Sequence, residues 1–238
     1  MAAVTTELIL IRHGESHANV SPVIGGMLGD GGLTDRGRWQ AERLGHRLRQ
    51  EGFRADVLYA STLPRAQETA GYVADAIGLP IRSDDGLQEL RVGEADGLSV
   101  EEWQRRWPGL ADGLWHRPYQ DFAPGGESWA SFLVRVGAAI TALTERHPDQ
   151  RIVAVTHGGV LEATFMMAFR LGPTSAPVRF LPDNTGLTVW RHVPDPAPVS
   201  WTLVTFNDVA HLAEPVYRPP AGVRAVPTPV EDAGAGDS

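Results

Sequence analysis

Four side chains in this sequence stand where they could act together. Arg12 and His13 follow the apolar run of residues 8–11, Arg65 comes one helical turn after Ser61 at the end of "ADVLYAS", and His157 closes "RIVAVTHGG". Each apolar run reads as a buried strand that stops on a polar residue beside glycine or a helix start. In an open α/β sheet, ligands bind beyond the carboxyl ends of the strands. Two arginines and two histidines gathered there form a compact cationic pocket, and helix N-termini at the same loops add backbone N–H donors. Glu15 and Ser61 fall at the same edge. The chemistry such a pocket suits is that of a phosphoryl group. Taken singly, each residue has an ordinary reading: a strand-end histidine is commonly a loop residue, and Arg65 alone would be a solvated side chain. The coincidence of three strand ends is what favours a site. His13 and His17 have a spacing seen in metal sites, but no H-E-x-x-H run or carboxylate partner completes a ligand set, so no metal and no cofactor are expected.

The elements that position these residues alternate between strand and helix along 238 residues, a length sufficient for one sizeable α/β domain. "LTDRGRWQAERLGHRLRQEG" has helical spacing, with Trp39, Leu44 and Leu48 expected on one side and Gly52 as the stop. "PRAQETAGYVADAIG" reads as a helix with Pro64 in its first turn and Gly78 just past its end. After the strand ending at His157 comes the apolar helix "VLEATFMMAFRLG". "TGLTVWRH" and "SWTLVTFN" read as a late strand pair joined by "VPDPAPV". The expected fold is therefore a three-layer α/β/α sandwich around a mostly parallel sheet. Between about residues 94 and 129 the pattern turns irregular and aromatic (Trp103, Trp107, Trp115, Tyr119, Phe122) and reads as a small insertion capping the active site. Residues 1–213 form the expected domain, and 214–238, rich in Pro, Gly and Ala, the expected C-terminal tail.

Composition narrows the chemistry. The net charge of −8 gives no basic face for nucleic acid or an anionic membrane, so attraction for an anion must be local. No apolar run is long enough to span a bilayer, and "MAAVTTELILIRHGES" lacks the features of a signal peptide, which points to the cytoplasm. There is no cysteine, which excludes disulfides, a thiolate nucleophile and thiolate metal sites. All 21 basic side chains are arginine, which excludes Schiff-base chemistry and a P-loop lysine. Arginine's planar fork remains, and it matches phosphate oxygens.

"RHGES" at 12–16, with Asn19 shortly after, resembles the signature of the histidine phosphatase superfamily, the phosphoglycerate-mutase-like fold. "LTDRGRWQA" (33–41), "STLPRAQETA" (61–70), "LQELRVGEADG" (87–97), "PGGES" (124–128) and "VTHGG" (155–159) are similar to further family segments, in the family's order. The resemblance covers residues 7 to 207. It implies that His13 is the nucleophile, forming a phosphohistidine, with its other ring nitrogen donating to a backbone carbonyl. It implies that Arg12, Arg65 and His157 hold the phosphoryl oxygens, each worth on the order of a hundredfold in rate. Asn19 becomes an additional phosphate contact, and Glu89 the proton donor that later activates water.

The sequence also departs from the family. "GGMLGDGGLT" (25–34) keeps Asp30, Leu33 and Thr34 but lacks the usual Gln-Gly and Pro, and the usual Glu-Gly after the acid is Asp96–Gly97. The longer E-R-H-Y-G-x-L-x-G run of true phosphoglycerate mutases is absent, as are lysines, and a mutase needs extra cationic contacts to hold a reoriented bisphosphate. The expected activity is thus a metal-independent phosphomonoesterase acting on a small phosphorylated metabolite. A cofactor-dependent phosphoglycerate-mutase-type phosphotransferase and a non-catalytic phosphate-binding module are the alternatives. The aromatic insertion could stack on the leaving group or simply pack on the core, and "GGES" suits a helix N-cap. The oligomeric state is not specified; a homodimer is compatible with the chain.

Overall fold

The computed structural model describes residues 5–111, 117–173, 179–194 and 200–213. The expected tail at 214–238, Trp115, and most of the turn "VPDPAPV" lie outside these residues. The elements run β1 (Thr6–Arg12), α1 (His17–Val20), α2 (Asp35–Gln50), β2 (Val57–Ser61), α3 (Pro64–Ile77), β3 (Ile81–Asp84), α4 (Val100–Arg106), α5 (Pro108–Ala111), α6 (Trp129–Arg146), β4 (Arg151–Thr156), α7 (Gly158–Ala168), β5 (Leu187–His192) and β6 (Trp201–Asp208).

The six strands form one sheet in the order β3-β2-β4-β1-β5-β6. β1, β2, β3 and β4 run parallel, β5 is antiparallel to β1, and β6 is antiparallel to β5. The strand period of two sorts the core into two layers. Leu8, Leu10, Val57, Tyr59, Ile152 and Ala154 face α6 and α7, where Phe132, Ile140, Leu143 and Leu161 complete one cluster. Ile9, Ile11, Leu58, Ala60, Val153 and Val155 face α2 and α3 and pack on Leu44, Leu48, Ala66 and Val73. Each fully buried Leu, Ile, Val or Phe contributes about 1.5–3 kcal/mol, and a sheet buried on both faces requires this unbroken apolar run in its central strands. The mostly parallel three-layer architecture is as expected.

Caps place the helices. Thr34 Oγ1 accepts from Gly37 N at 3.0 Å to start α2. Pro64 opens α3, and Gly78, at φ 71°, ends it in the left-handed conformation that glycine adopts without cost. The buried stripe of α2 is Gly37, Gln40, Ala41, Leu44, Gly45 and Leu48. Trp39 is off this stripe and only partly buried, contrary to expectation. It lies five and nine positions before Leu44 and Leu48, and at about 100° per residue it projects well away from both. α7 begins at Gly158, two residues earlier than its apolar run suggests, so His157 is its N-cap rather than a strand residue.

The aromatic segment carries its own small core. Ile24, Val92, Ala95, Trp103 and Ala123 are buried together, with Trp107, Leu110 and Phe122 against them. The Trp103 and Phe122 rings stack at 4.6 Å, and Trp103 Nε1 donates to Phe122 O at 3.0 Å. Tyr119 is 69% exposed. Among Trp103, Trp107, Tyr119 and Phe122, packing accounts for Trp103 and Trp107, and Phe122 reaches the cleft.

Candidate active site

The ends of β1, β2 and β4 converge on a cleft of about 390 Å³ whose lining includes Arg12, His13, Asn19, Arg65, Glu89 and Glu162. β1 delivers Arg12 and His13. Because β5 runs antiparallel to β1, its leading segment (residues 179–186) returns to the same edge and supplies Arg179, Phe180, Leu181 and Pro182 to the wall. Leu90, Val92, Phe122 and Trp129 add apolar groups to the lining.

His13 is 3% exposed, and its Nδ1 lies 2.7 Å from Gly14 O. A carbonyl can only accept, so Nδ1 carries the proton and Nε2 keeps its lone pair. Arg65 Nε donates to that Nε2 at 3.2 Å. Burial, followed by the charges of Arg65 and Arg12, holds the His13 imidazole well below its usual pKa, so the ring is neutral. His157, whose ring centroid is 5.1 Å from that of His13, is also pushed well down, by burial first and then by Arg65, His13 and Arg12. Its Nε2 pairs with Ser61 Oγ at 2.7 Å, and that oxygen also accepts from Leu63 N at 3.3 Å.

Near His13, two buried nitrogens, Arg12 Nε and His157 Nδ1, have no hydrogen-bond partner among the described residues. Arg12 Nη1 donates to Pro182 O at 2.7 Å, while Nε lies 3.7 Å from where a Cβ on Gly158 would stand, against the first residue of α7. An unsatisfied buried donor costs about 1–3 kcal/mol. Phosphoryl oxygens at this point would satisfy Arg12 Nε and meet the N-terminus of α7.

Arg65 is 4% exposed and is held by Asp30, whose side chain is fully buried. Asp30 Oδ2 accepts from Arg65 Nη1 at 2.8 Å and from Arg65 N at 3.3 Å. The loop carrying Asp30 is in turn fixed by Asp96, whose carboxylate accepts from Gly26, Leu28 and Gly29 N at 2.9, 2.8 and 2.9 Å.

Glu89 lines the cleft with Oε2 accepting from Gly159 N and Oε1 from Leu90 N, both at 3.0 Å. A Cβ on residue 159 would collide with this carboxylate, so the second glycine of "HGG" is required for the approach. Arg135 fixes the loop beneath by donating to Gly86, Gln88 and Glu89 carbonyls at 2.8, 3.0 and 3.1 Å. Arg135 is itself gripped by Glu127 at 2.6 and 2.7 Å, so Glu127 of "GGES" acts on the Glu89 loop from behind. Ser128 of the same motif caps α6.

Asn19 also lines the cleft, its Oδ1 accepting from Ser16 N at 3.0 Å. Glu15 is turned away: it accepts from Thr34 Oγ1 at 2.8 Å and pairs with Arg36 at 3.2 Å, tying the loop to α2. Sequence reasoning assigned no role to Asp30, Asn184 or Glu162. Glu162, one turn into α7, is 3% exposed; burial pushes its carboxyl up, although Arg179 Nε lies 3.1 Å away. Its place in an apolar helix was the available signal, since an isolated charge there must have a partner. Among the described residues, no group of three or more His, Asp or Glu side chains is arranged to hold a metal ion, and no helix is long and apolar enough to cross a membrane.

A central sheet with this edge chemistry defines an α/β enzyme of the phosphatase and phosphotransferase class. The profile of the histidine phosphatase superfamily (branch 1) matches residues 8–209. Phosphoglycerate mutase-like protein 4 of Arabidopsis thaliana is 34% identical over 210 residues, covering 87% of each chain. The 2,3-bisphosphoglycerate-dependent phosphoglycerate mutase of Methylobacterium radiotolerans is 34% identical over 83% of this chain and 94% of its own. Among solved structures, a mycobacterial glucosyl-3-phosphoglycerate phosphatase in complex with VO3 superposes with a TM-score of 0.71 at 25% identity, covering 84% of this chain and 98% of that one. The chain belongs to the histidine phosphatase superfamily.

Proposed function

We propose that the protein is a metal-independent phosphomonoesterase that hydrolyses a small phosphorylated metabolite through a phosphohistidine. The observation that carries this reading is the arrangement around His13: a neutral imidazole with its Nε2 lone pair kept, beside the buried unpartnered Arg12 Nε, the His157 ring and Arg65. His13 Nε2 attacks phosphorus as the bond to the leaving oxygen breaks, and Glu89 gives that oxygen its proton. Water then attacks the phosphohistidine, Glu89 takes the proton, and phosphate leaves with His13 restored. Arg12, Arg65, His157 and the N-terminus of α7 hold the equatorial oxygens, with Asn19 as a further contact.

Hydrolysis is favoured over mutase chemistry by the cleft's cations. Holding a reoriented bisphosphate needs a second cationic cluster. Beyond Arg12 and Arg65, the described lining residues supply only Arg179, which is ion-paired to Glu162. Hydrolysis of an aryl phosphate in EDTA, abolished by His13→Ala, with an acid-labile phosphoenzyme trapped in the wild type, is the expected result. Isomerisation of phosphoglycerates primed by a bisphosphate, without comparable hydrolysis, would establish the phosphotransferase instead. Phosphate binding with no trapped phosphoenzyme would leave a binding module.

A further inference from the structure

The backbone that presents Arg12 and His13 leaves the sheet at that point, so its carbonyls need partners from elsewhere. They find them in the residues just before β5. Thr185 N donates to Arg12 O at 2.9 Å, and Asn184 Nδ2 donates to His13 O at 2.9 Å. Thr185 makes this bond from the left-handed region, at φ 60°, although it is β-branched and fully buried. That conformation costs about 1–3 kcal/mol and persists only where its surroundings impose it.

The surroundings are two hydrogen bonds to one hydroxyl. Thr185 Oγ1 donates to Asn184 O at 2.7 Å and lies 2.8 Å from His211 Nε2. The hydroxyl has a single proton, already given to Asn184, so His211 Nε2 must donate. His211 follows β6 in the short helical turn Ala210–Leu212 and is 4% exposed. Its carbonyl is held by Arg43 Nε of α2 at 3.0 Å. A residue from the end of the fold thus reaches, through one strained threonine, the peptide that carries the nucleophile.

The geometry points to His211 as a positioning residue for the phosphoryl site: its Nε2–H pins Thr185 in the left-handed conformation that fixes the Arg12 and His13 carbonyls. The inference rests on the phosphoryl-site reading above and touches no substrate itself.

The test measures inorganic vanadate affinity by calorimetry alongside kcat and KM for an aryl phosphate, in the full chain. His211→Phe keeps ring volume and removes the donor; His211→Gln restores an N–H. His211→Phe is expected to weaken vanadate binding and lower kcat/KM by about tenfold each, the scale of a small misplacement in a preorganised site. His211→Gln should return within about threefold of wild type, and in a Thr185→Gly background His211→Phe should cost less than about twofold more, because glycine adopts the conformation unaided. Unchanged vanadate affinity in His211→Phe, no recovery with Gln, or full additivity in the Thr185→Gly background would overturn the inference. If His211→Phe does not fold, Thr185→Val supplies the same test by removing the hydroxyl at constant shape, and wild-type vanadate affinity there overturns it equally. Wild-type protein that binds vanadate yet hydrolyses no ester defeats the hydrolase reading and leaves this one to the vanadate data.

Discussion

Arg65 and Arg12 face the same cleft but are held in opposite ways. Arg65 is buried against a buried carboxylate, Asp30, at 2.8 Å, and its Nε already touches the His13 nitrogen. Arg12 is half-buried, has one backbone carbonyl at 2.7 Å, and keeps a buried Nε with no partner. Burial lowers its pKa from the usual arginine value, with Glu89 and Asp183 opposing. On one side the charge is compensated before any anion arrives. On the other it is desolvated and uncompensated at close range. Arg65 is therefore a fixed part of the frame around His13, whereas Arg12 is the group whose environment a phosphoryl dianion completes.

The largest expected effects separate the two. Arg12→Ala and Arg65→Ala should each lower kcat/KM by about a hundredfold or more, as for loss of a preorganised donor to a transition-state oxygen. Only Arg65→Ala should also lower stability strongly, by about 3–5 kcal/mol, because it strands Asp30 as a buried charge. Urea unfolding of both variants checks this, and equal stability losses would erase the distinction.

Protonation should weaken the Arg12 side next. Burial and then Arg47 push the pKa of His211 down to about 4, so it is neutral in the folded protein and charges on unfolding below the ordinary histidine value of about 6.5. The unfolded chain binds more protons across that window. The stability linked to His211 is thus fully present above pH 6.5 and is lost as pH falls towards 4, by about 3 kcal/mol at the limit. His13 and His157, also held well below their usual pKa, add losses of the same sign. The urea midpoint should fall between pH 6.5 and 5, and His211→Phe should flatten that fall. An unchanged slope in the variant would remove His211 from the account.

What the sequence showed of this comparison follows from how local each feature is. The ends of β1, β2 and β4 were legible, the last to within one residue, because an apolar run stops on a polar residue, a signal contained in a few neighbours. β3 was not read as a strand: of "IRSD" only Ile81 is apolar, and an edge strand with two exposed residues has little reason for a hydrophobic pattern. The aromatic stretch was legible as an irregular insertion, but not which of its rings would reach the cleft, since stacking of Trp103 on Phe122 is a tertiary matter. The two devices behind the arginines were the least visible. Asp30 lies 35 residues from Arg65, and His211 lies 26 from Thr185, in segments with no periodic pattern to bring them together. Motif resemblance marked Asp30 as a family position without saying that it is buried against Arg65.

The smallest expected effect probes the compensated side directly. Asp30→Asn removes the charge and keeps the size. Oδ1 now accepts from Gly32 N at 2.9 Å and Oδ2 from Arg65, so an amide can serve only one of them with its oxygen. Arg65 stays buried but loses its ion-pair partner, so a bound phosphate meets a guanidinium whose charge Asp30 no longer compensates. Phosphate should then be retained more tightly: inorganic phosphate inhibits about threefold to tenfold more strongly while kcat falls by a similar factor, a change of about 1 kcal/mol. If Asp30 acts mainly by aiming the guanidinium, the opposite follows, with weaker phosphate inhibition together with the lower kcat. The sign of the change in inhibition therefore decides whether the Asp30 pair tempers the charge of Arg65 or merely orients it.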